Sequence, residues 1–396
     1  MSPNWESTEK FILLPELKLI THWQSDKFRT QYKCAKESEF EVCPKCATKS
    51  RSVHDRRWVK VQDQPIRGSG IVLRVLKRRF RCPKCKKVFT EPLNGVRKGF
   101  KTTERYRRGL RWACENFKDL KRVQRAYSCS AWLTHKVFYE QLEVKTRERI
   151  NDCWGKRLGI DEHTWSKRRG GKRKTEFASL IVDYDRNRIA EVVNGKTVEE
   201  LKTQLNYIPG RERVEEVVID MCDSFKKFVK EFFPNAKLTA DKFHVLRLIT
   251  PMINKARMEI TGDKRSNPIR KLLLKNRPDL KYYERTALDL WLLEHPKLKE
   301  IYWFKEALHR LYRTKGFLKA HRAFTKLTDR MALSKLPEIL KLRATLMKWR
   351  KEIMHYFESG LTNGKTEGYN RRAKGEQYNA FGVRSFFNYR LRMLNI

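Results

Sequence analysis

The chain has 396 residues, of which 40% are hydrophobic, so it can form two or three domains with cores of their own and is not disordered throughout. Lysine and arginine number 89 against 46 acidic residues, a formal charge of +43, which favours a nucleic-acid partner over an anionic membrane surface. No stretch approaches the roughly 18 uninterrupted apolar residues of a membrane helix. The apolar run at 11–20 is broken by Pro15, Glu16 and Lys18, so neither a membrane span nor a signal peptide is expected.

Two identical Cys-Pro-Lys-Cys strings follow, at Cys43–Cys46 and at Cys82–Cys85. Without a secretion signal the thiols are expected to be reduced, and two CxxC turns together offer the four thiolates of a tetrahedral zinc. A catalytic zinc is not expected, because protein ligands fill all four positions. The segments 58–61 and 71–76 suit a hairpin that carries the two turns, so the sequence predicts a structural zinc ribbon over residues 1–95.

Residues 96–150 have a helical pattern, and the part from 117 to 139 has the proportions of a helix-turn-helix with small residues at its break. Trp132, His135 and Lys136 would then lie on the outward face of the second helix, where a DNA major groove is read. An ordinary pair of packed helices is the alternative.

From residue 157 the pattern changes to strands and helices in alternation, which indicates a mixed α/β layer. The predicted strands are 157–165, 177–184, 189–193, 214–220 and 236–239, and the predicted helices between them are 198–205 and 224–233. From about 245 to 355 the pattern is helix after helix, punctuated by prolines.

Two of these strands run into an aspartate, in Leu158-Gly-Ile-Asp161 and in Val217-Val-Ile-Asp220. Carboxylates fixed at the ends of buried strands suit phosphodiester chemistry, which uses two divalent cations about 3.5–4 Å apart. Aspartate also ends strands as a turn former, so spacing alone does not select these two. Five other acidic residues are alternative candidates for the metal-binding carboxylates on the same grounds: Glu162, Asp183, Asp185, Asp223 and Asp241.

Glu367 lies just inside a further predicted helix, with Asn370, Arg371 and Lys374 three, four and seven residues later. One helix face would therefore present a carboxylate, an amide and two cations. That combination suits a metal ion together with a DNA backbone, although charged helix faces are more often simply solvated.

Taken in order, the motifs resemble those of insertion-sequence transposases of the ISL3 group, from about residue 40 onward. They are the two CPKC strings, the helix-turn-helix, GIDEH, VVIDM, ADKFHV and TNGKTEGYNRRAK. The resemblance implies a multidomain α+β chain whose catalytic domain has a ribonuclease-H-like α/β fold with a long all-helical insertion. The implied domains are a zinc ribbon (1–95), a helix-turn-helix (96–150), the catalytic domain in two parts (151–249 and 355–396) and the helical insertion (250–354).

Position by position, the resemblance identifies Asp161 in GIDEH and Asp220 in VVIDM as the first two acids of a DDE triad, and Glu367 as the third. These acids would hold Mg²⁺ or Mn²⁺, in addition to the structural Zn²⁺ of the ribbon. The role of ADKFHV, with Asp241 and His244, stays open. The implied partner is double-stranded DNA, both terminal inverted repeats and target, in the bacterial cytoplasm and nucleoid, and joining two ends requires a homo-oligomer.

Two other functions remain open at this point. A DNA-binding regulator derived from a transposase fits the composition equally well, but it has no need to keep Glu367. A structure-specific nuclease of the same fold would cut DNA without joining strands.

Overall fold

The computed structural model describes residues 12–117, 119–149, 151–167, 175–262, 268–380, 383 and 385–396. The chain divides into two compact units, one comprising Met1–Lys145 with Asn379–Phe381 and the other Thr146–Tyr378 with Gly382–Ile396. Among the described helices, none is long and apolar enough to cross a membrane.

The first unit is built on a five-stranded sheet whose strand order is β1-β2-β6-β5, with β7 paired to β6. The long hairpin of β5 and β6 turns through Arg67 and Gly68, both at positive φ, which matches the twist of the paired strands. The first hairpin, β1 with β2, lies in a segment where the sequence predicted no strand. The strands are β1 (Leu17–Asp26), β2 (Arg29–Lys36), β3 (Glu41–Val42), β4 (Lys49–Ser50), β5 (Val53–Ile66), β6 (Ser69–Arg81) and β7 (Val88–Thr90).

Three helices complete this unit: α1 (Glu104–Asn116), α2 (Leu120–Tyr127) and α3 (Ala131–Arg147). Side chains before the first two helices accept hydrogen bonds from their first-turn amides and so fix where each helix begins. Ser128, at φ 49°, ends α2 in the left-handed conformation. Apolar residues of all three helices share one buried cluster.

The second unit contains a five-stranded mixed sheet in the order β10-β9-β8-β11-β12. β8, β9 and β10 pair antiparallel, whereas β11 runs parallel to both β8 and β12. All five strands lie where the sequence predicted strands. They are β8 (Arg157–Lys167), β9 (Thr175–Asp183), β10 (Arg188–Asn194), β11 (Glu216–Ile219) and β12 (Lys237–Ala240).

Helices cover both faces of this sheet. One face shares a continuous apolar core with the helices between residues 242 and 359, so that Ile160 and Ile219 belong to the same cluster as Ile301. The other face packs on the last two helices through Val218, Ala373 and neighbours. The helices are α4 (Val198–Leu205), α5 (Asp223–Phe232), α6 (Lys242–Arg247), α7 (Thr250–Thr261), α8 (Pro268–Leu274), α9 (Tyr282–Leu293), α10 (Pro296–Arg313), α11 (Phe317–Ala332), α12 (Pro337–Lys348), α13 (Arg350–Ser359), α14 (Gly364–Asn379) and α15 (Phe386–Leu394).

Candidate functional site

Asp161 and Asp220 lie side by side at the centre of the second sheet. Ile160 of β8 is paired with Ile219 of the parallel strand β11, so the residue that follows each of them is an aspartate at the same level. Asp161 is only 8% exposed. Burial raises the pKa of its carboxyl to about 7, and the neighbouring Asp220 carboxylate adds to that shift because two close negative charges repel.

A third aspartate joins this pair from the next strand. Asp241 follows β12, the parallel neighbour of β11, and is fully buried. Nδ1 of His244 lies 3.0 Å from the carboxylate of Asp220 and 3.0 Å from that of Asp241. Hydrogen bonds to these two carboxylates raise the pKa of His244 to about 10, so its imidazole is a cation at neutral pH.

Asp220, Asp241 and His244 therefore form a compact group whose ligand atoms all lie within 4.8 Å of one another. From the sequence, Asp241 was one of several alternative acids, and His244 had no predicted role. A signal for it was present, since Leu238-Thr-Ala-Asp241 repeats the strand-then-aspartate pattern of Leu158–Asp161 and Val217–Asp220.

Helix α14 lies across these carboxylates. The side-chain amide of Asn363 donates to Asp220 over 3.1 Å, and its backbone N–H donates to Asp241 over 3.1 Å. One turn further on, a Cβ at Gly159 of β8 would lie 2.1 Å from the hydroxyl of Thr366, so the close approach of helix and strand requires glycine there. The amide of Asn370 donates to Asp161. Asn370, predicted to face DNA, is thus buried and holds a carboxylate instead.

Glu367 lies on this helix one turn before Asn370, on the side of α14 that faces the carboxylates. Its side chain is half-buried. Within the described ranges Glu367 is not a member of a close group of metal-ligating side chains. Arg371 and Lys374, predicted to contact DNA, are exposed.

Ion pairs occupy the other acidic residues that the sequence left open. Asp183 binds Arg186, Asp185 binds Arg157 and Asp223 binds Lys348, with distances of 2.6–2.7 Å. Glu162 lies 3.2 Å from Lys196. Each of these carboxylates has its own cation, whereas Asp161 and Asp220 face each other, with His244 supplying positive charge next to Asp220.

Metal-free Asp161→Asn protein should be more stable than wild type at pH 8. The raised pKa means that the folded chain holds a proton that the unfolded chain releases near pH 4. The free energy of unfolding of wild type therefore falls as the pH rises from about 4 to about 7. Above that range Asp161 is ionised in both states, and the free energy falls no further on its account. We expect the variant to gain about 2–4 kcal/mol at pH 8 and little at pH 4.5, measured by urea unfolding.

The control is Asp223→Asn, which alters an exposed carboxylate that is paired with Lys348. If Asp161→Asn lost stability equally at both pH values, the carboxylate of Asp161 would not be the source of repulsion in the folded protein.

The four cysteines of the two Cys-Pro-Lys-Cys strings meet at one point. The Sγ atoms of Cys43 and Cys85 lie 3.6 Å apart and those of Cys46 and Cys82 lie 3.5 Å apart. All four sulfurs lie within 4.8 Å of one another. A tetrahedral zinc with bonds of about 2.3 Å spaces its sulfurs by about 3.8 Å, so this donor set fits a structural zinc.

The second helix of the predicted helix-turn-helix is α3. Trp132 is 68% exposed on it. His135 and Lys136 are exposed as well, and the Lys136 ammonium lies 4.9 Å from the centre of the Trp132 ring. The three residues share the outward face that the sequence predicted for them.

Comparison with known proteins agrees with the motif order. A family model for ISL3-group transposases matches residues 158–393, and the zinc-finger model of the transposases of IS204, IS1001, IS1096 and IS1165 matches residues 39–85. The transposase for insertion sequence element IS1001 of Bordetella parapertussis is 24% identical over 378 residues, which is 91% of this chain and 90% of its own length. The transposase for IS1557 of Mycobacterium tuberculosis is 24% identical over 288 residues, 64% of this chain and 63% of its own. The predicted resemblance is confirmed, and the chain belongs to the ISL3 family of transposases.

Proposed function

We propose that this transposase cuts and joins DNA by metal-dependent phosphoryl transfer, with Asp161, Asp220 and Glu367 as its DDE triad. The observation that carries the proposal is the pair of facing carboxylates at the same level of two parallel strands. Two ionised carboxylates this close repel each other and destabilise the folded protein, and bound divalent cations would offset that repulsion. The mixed sheet with helices on both faces supports a ribonuclease-H-like fold for this unit.

When bound, Mg²⁺ or Mn²⁺ would supply Lewis-acid stabilisation of charge on the reacting phosphodiester and lower the pKa of a water or hydroxyl. Asp161, Asp220 and Glu367 would hold the ions. Asn370 and Asn363 keep the first two carboxylates oriented by donating to them. The His244 cation lies between Asp220 and Asp241 and offsets their negative charge.

The first unit would supply DNA binding. Its zinc ribbon and the exposed Trp132, His135 and Lys136 on α3 are the proposed contacts to the terminal inverted repeats. Arg371 and Lys374 on α14 would contact phosphates beside the triad. Joining two ends requires a dimer or a higher assembly in the cytoplasm of the bacterial cell.

The test uses a labelled duplex from the terminal repeat of the element that encodes this chain. The purified protein should retard that duplex, and with Mg²⁺ it should nick and join it. Six to ten phosphate contacts would lower the affinity about a thousandfold or more between 50 and 200 mM salt, because each neutralised phosphate releases counterions.

A flat salt response would contradict the view that the +43 charge serves DNA binding. Steep, specific binding without cutting under Mg²⁺ or Mn²⁺ would make the chain a DNA-binding regulator. Cutting without joining would make it a nuclease.

A further inference from the structure

Helix α11 has one buried side and one strongly basic side. Phe324 and Met331 are buried in the apolar core of the second unit. Arg322, Lys326 and Arg330 lie on the opposite side of the helix, and all three are exposed. They line an open groove of about 680 Å³. Because an α-helix rises 1.5 Å per residue, their Cα atoms span about 12 Å along its axis.

The three cations of this groove have no partner among the described residues. They form neither an ion pair nor a hydrogen bond there, and Asp329, the acidic residue of the groove, is not paired with them either. Other lysines on the surface of the same unit are paired. Lys202, Lys297 and Lys348 each lie 2.6–3.0 Å from a carboxylate. The charge of the groove is therefore available to an anion from outside the chain.

The surroundings of the groove are basic as well. Residues 313–351 contain 12 lysines and arginines against two acidic residues, a local charge of +10. The guanidinium of Arg350 donates over 2.7 Å to the ring of His321, which lines the groove. Like charges at this density repel one another, and a polyanion relieves that repulsion. A DNA duplex offers one negative charge per about 1.7 Å of its axis, whereas a small phosphate compound would neutralise only part of the charge.

The groove is set apart from the carboxylates of the central sheet. Helix α11 packs on α13, and α13 packs on β12, the strand that leads into Asp241. The axes of packed helices are about 8–10 Å apart, so a layer of helix separates the groove from the sheet. DNA in the groove is therefore not the phosphodiester at Asp161 and Asp220 but a duplex segment farther away.

We propose that Arg322, Lys326 and Arg330 bind the phosphate backbone of duplex DNA that lies outside the terminal repeat. The inference rests on the proposed function, because cutting and joining an element involves two such duplexes. One is the host sequence that flanks the element, and the other is the target that receives it. Both present the same backbone, and contacts to phosphates carry no sequence information, so the groove should bind without preference for base sequence.

The experiment compares the salt dependence of DNA binding by wild type and by the groove variant Arg322→Gln/Lys326→Gln/Arg330→Gln, without divalent metal. The DNAs are the terminal repeat alone, the repeat with flanking sequence attached, and a separate random duplex added to protein already loaded with the repeat. Each lost phosphate contact reduces the steepness of log affinity against log salt by about 0.9, so the variant should lose about 2–3. The loss should occur on the flanked repeat if the groove holds flanking DNA, and on the separate duplex if it holds target. The repeat alone should bind both proteins equally.

The matched control is Lys202→Gln/Lys297→Gln/Lys348→Gln, which removes the same charge from three lysines that are paired with carboxylates. Its salt dependence should equal that of wild type on all three DNAs. The proposal is overturned if the groove variant matches wild type on both the flanked and the separate duplex. An equal loss in the control, or the same loss on the repeat alone, would also overturn it.

The proposed function and the groove can fail separately. If wild type cuts and joins the repeat while the groove variant keeps its salt dependence, the function is retained and the groove is rejected. If the salt dependence falls as expected in a protein that never cuts DNA, the groove is retained without the proposed reaction.

Discussion

Asp161→Asn and Asp220→Asn variants should cut the terminal-repeat duplex at least roughly a thousandfold more slowly than wild type in Mg²⁺ or Mn²⁺. Each substitution keeps the shape of the side chain and removes one anionic oxygen from the proposed metal site. Several kcal/mol of transition-state stabilisation depend on that charge, and each 1.36 kcal/mol is tenfold in rate. Glu367→Gln should behave in the same way. The measurement is single-turnover cleavage beside a gel shift on the same DNA, and the gel shift should be unchanged.

Asp223→Asn is the matched control, since this carboxylate is exposed and paired with Lys348. Asp241→Asn is unsuitable as a control, because Asp241 shares His244 with Asp220 and holds the backbone of Asn363. If Glu367→Gln cleaves as fast as wild type, Glu367 is not the third acid.

Cys82→Ser should abolish zinc binding and unfold the ribbon in the first unit. Structural zinc supplies roughly 10–16 kcal/mol of apparent binding free energy in small zinc domains, which exceeds the stability that such a domain has without metal. Wild type should contain one zinc per chain by metal analysis. The variant should contain none and should bind the terminal repeat far more weakly, with protease cleavage appearing between residues 43 and 85.

Cys34→Ala is the control within the same unit. Cys34 is buried and lies outside the group of four sulfurs, so this variant should keep its zinc. A full zinc content in Cys82→Ser protein would exclude the proposed ligand set.

The central strands of the second sheet could be predicted because each has a recognisable pattern within its own few residues. A short apolar run that ends in aspartate marks β8 and β11, and both aspartates lie where parallel pairing would bring them together. Asp241 has the same pattern of a short strand followed by aspartate. Without the order of the strands, however, the sequence does not indicate that β12 is the neighbour of β11.

The amides that orient the carboxylates could not be predicted from the sequence. Asn363 contacts Asp220 across 143 residues, and Asn370 contacts Asp161 across 209. Such pairs exist only once a helix has docked, here at the depth that Gly159 permits. The spacing of Glu367 and Asn370 showed that they share one face of a helix. Whether that face points to the carboxylates or to solvent depends on tertiary packing.

The distance between carboxylates and amides along the chain has a consequence during synthesis. At 5–20 residues per second, roughly 7 to 30 s pass between the translation of Asp220 and that of Asn363. During that time the nascent chain already contains the four cysteines of the Cys-Pro-Lys-Cys strings and the helices of the first unit, whereas Asp161 and Asp220 have no amide to orient them. A ribosome that stops in this interval would release a polypeptide that has the proposed DNA-binding half and lacks the helix that orients the proposed catalytic acids. Such a product would occupy the ends of the element without cutting them, and would compete with complete copies of the protein.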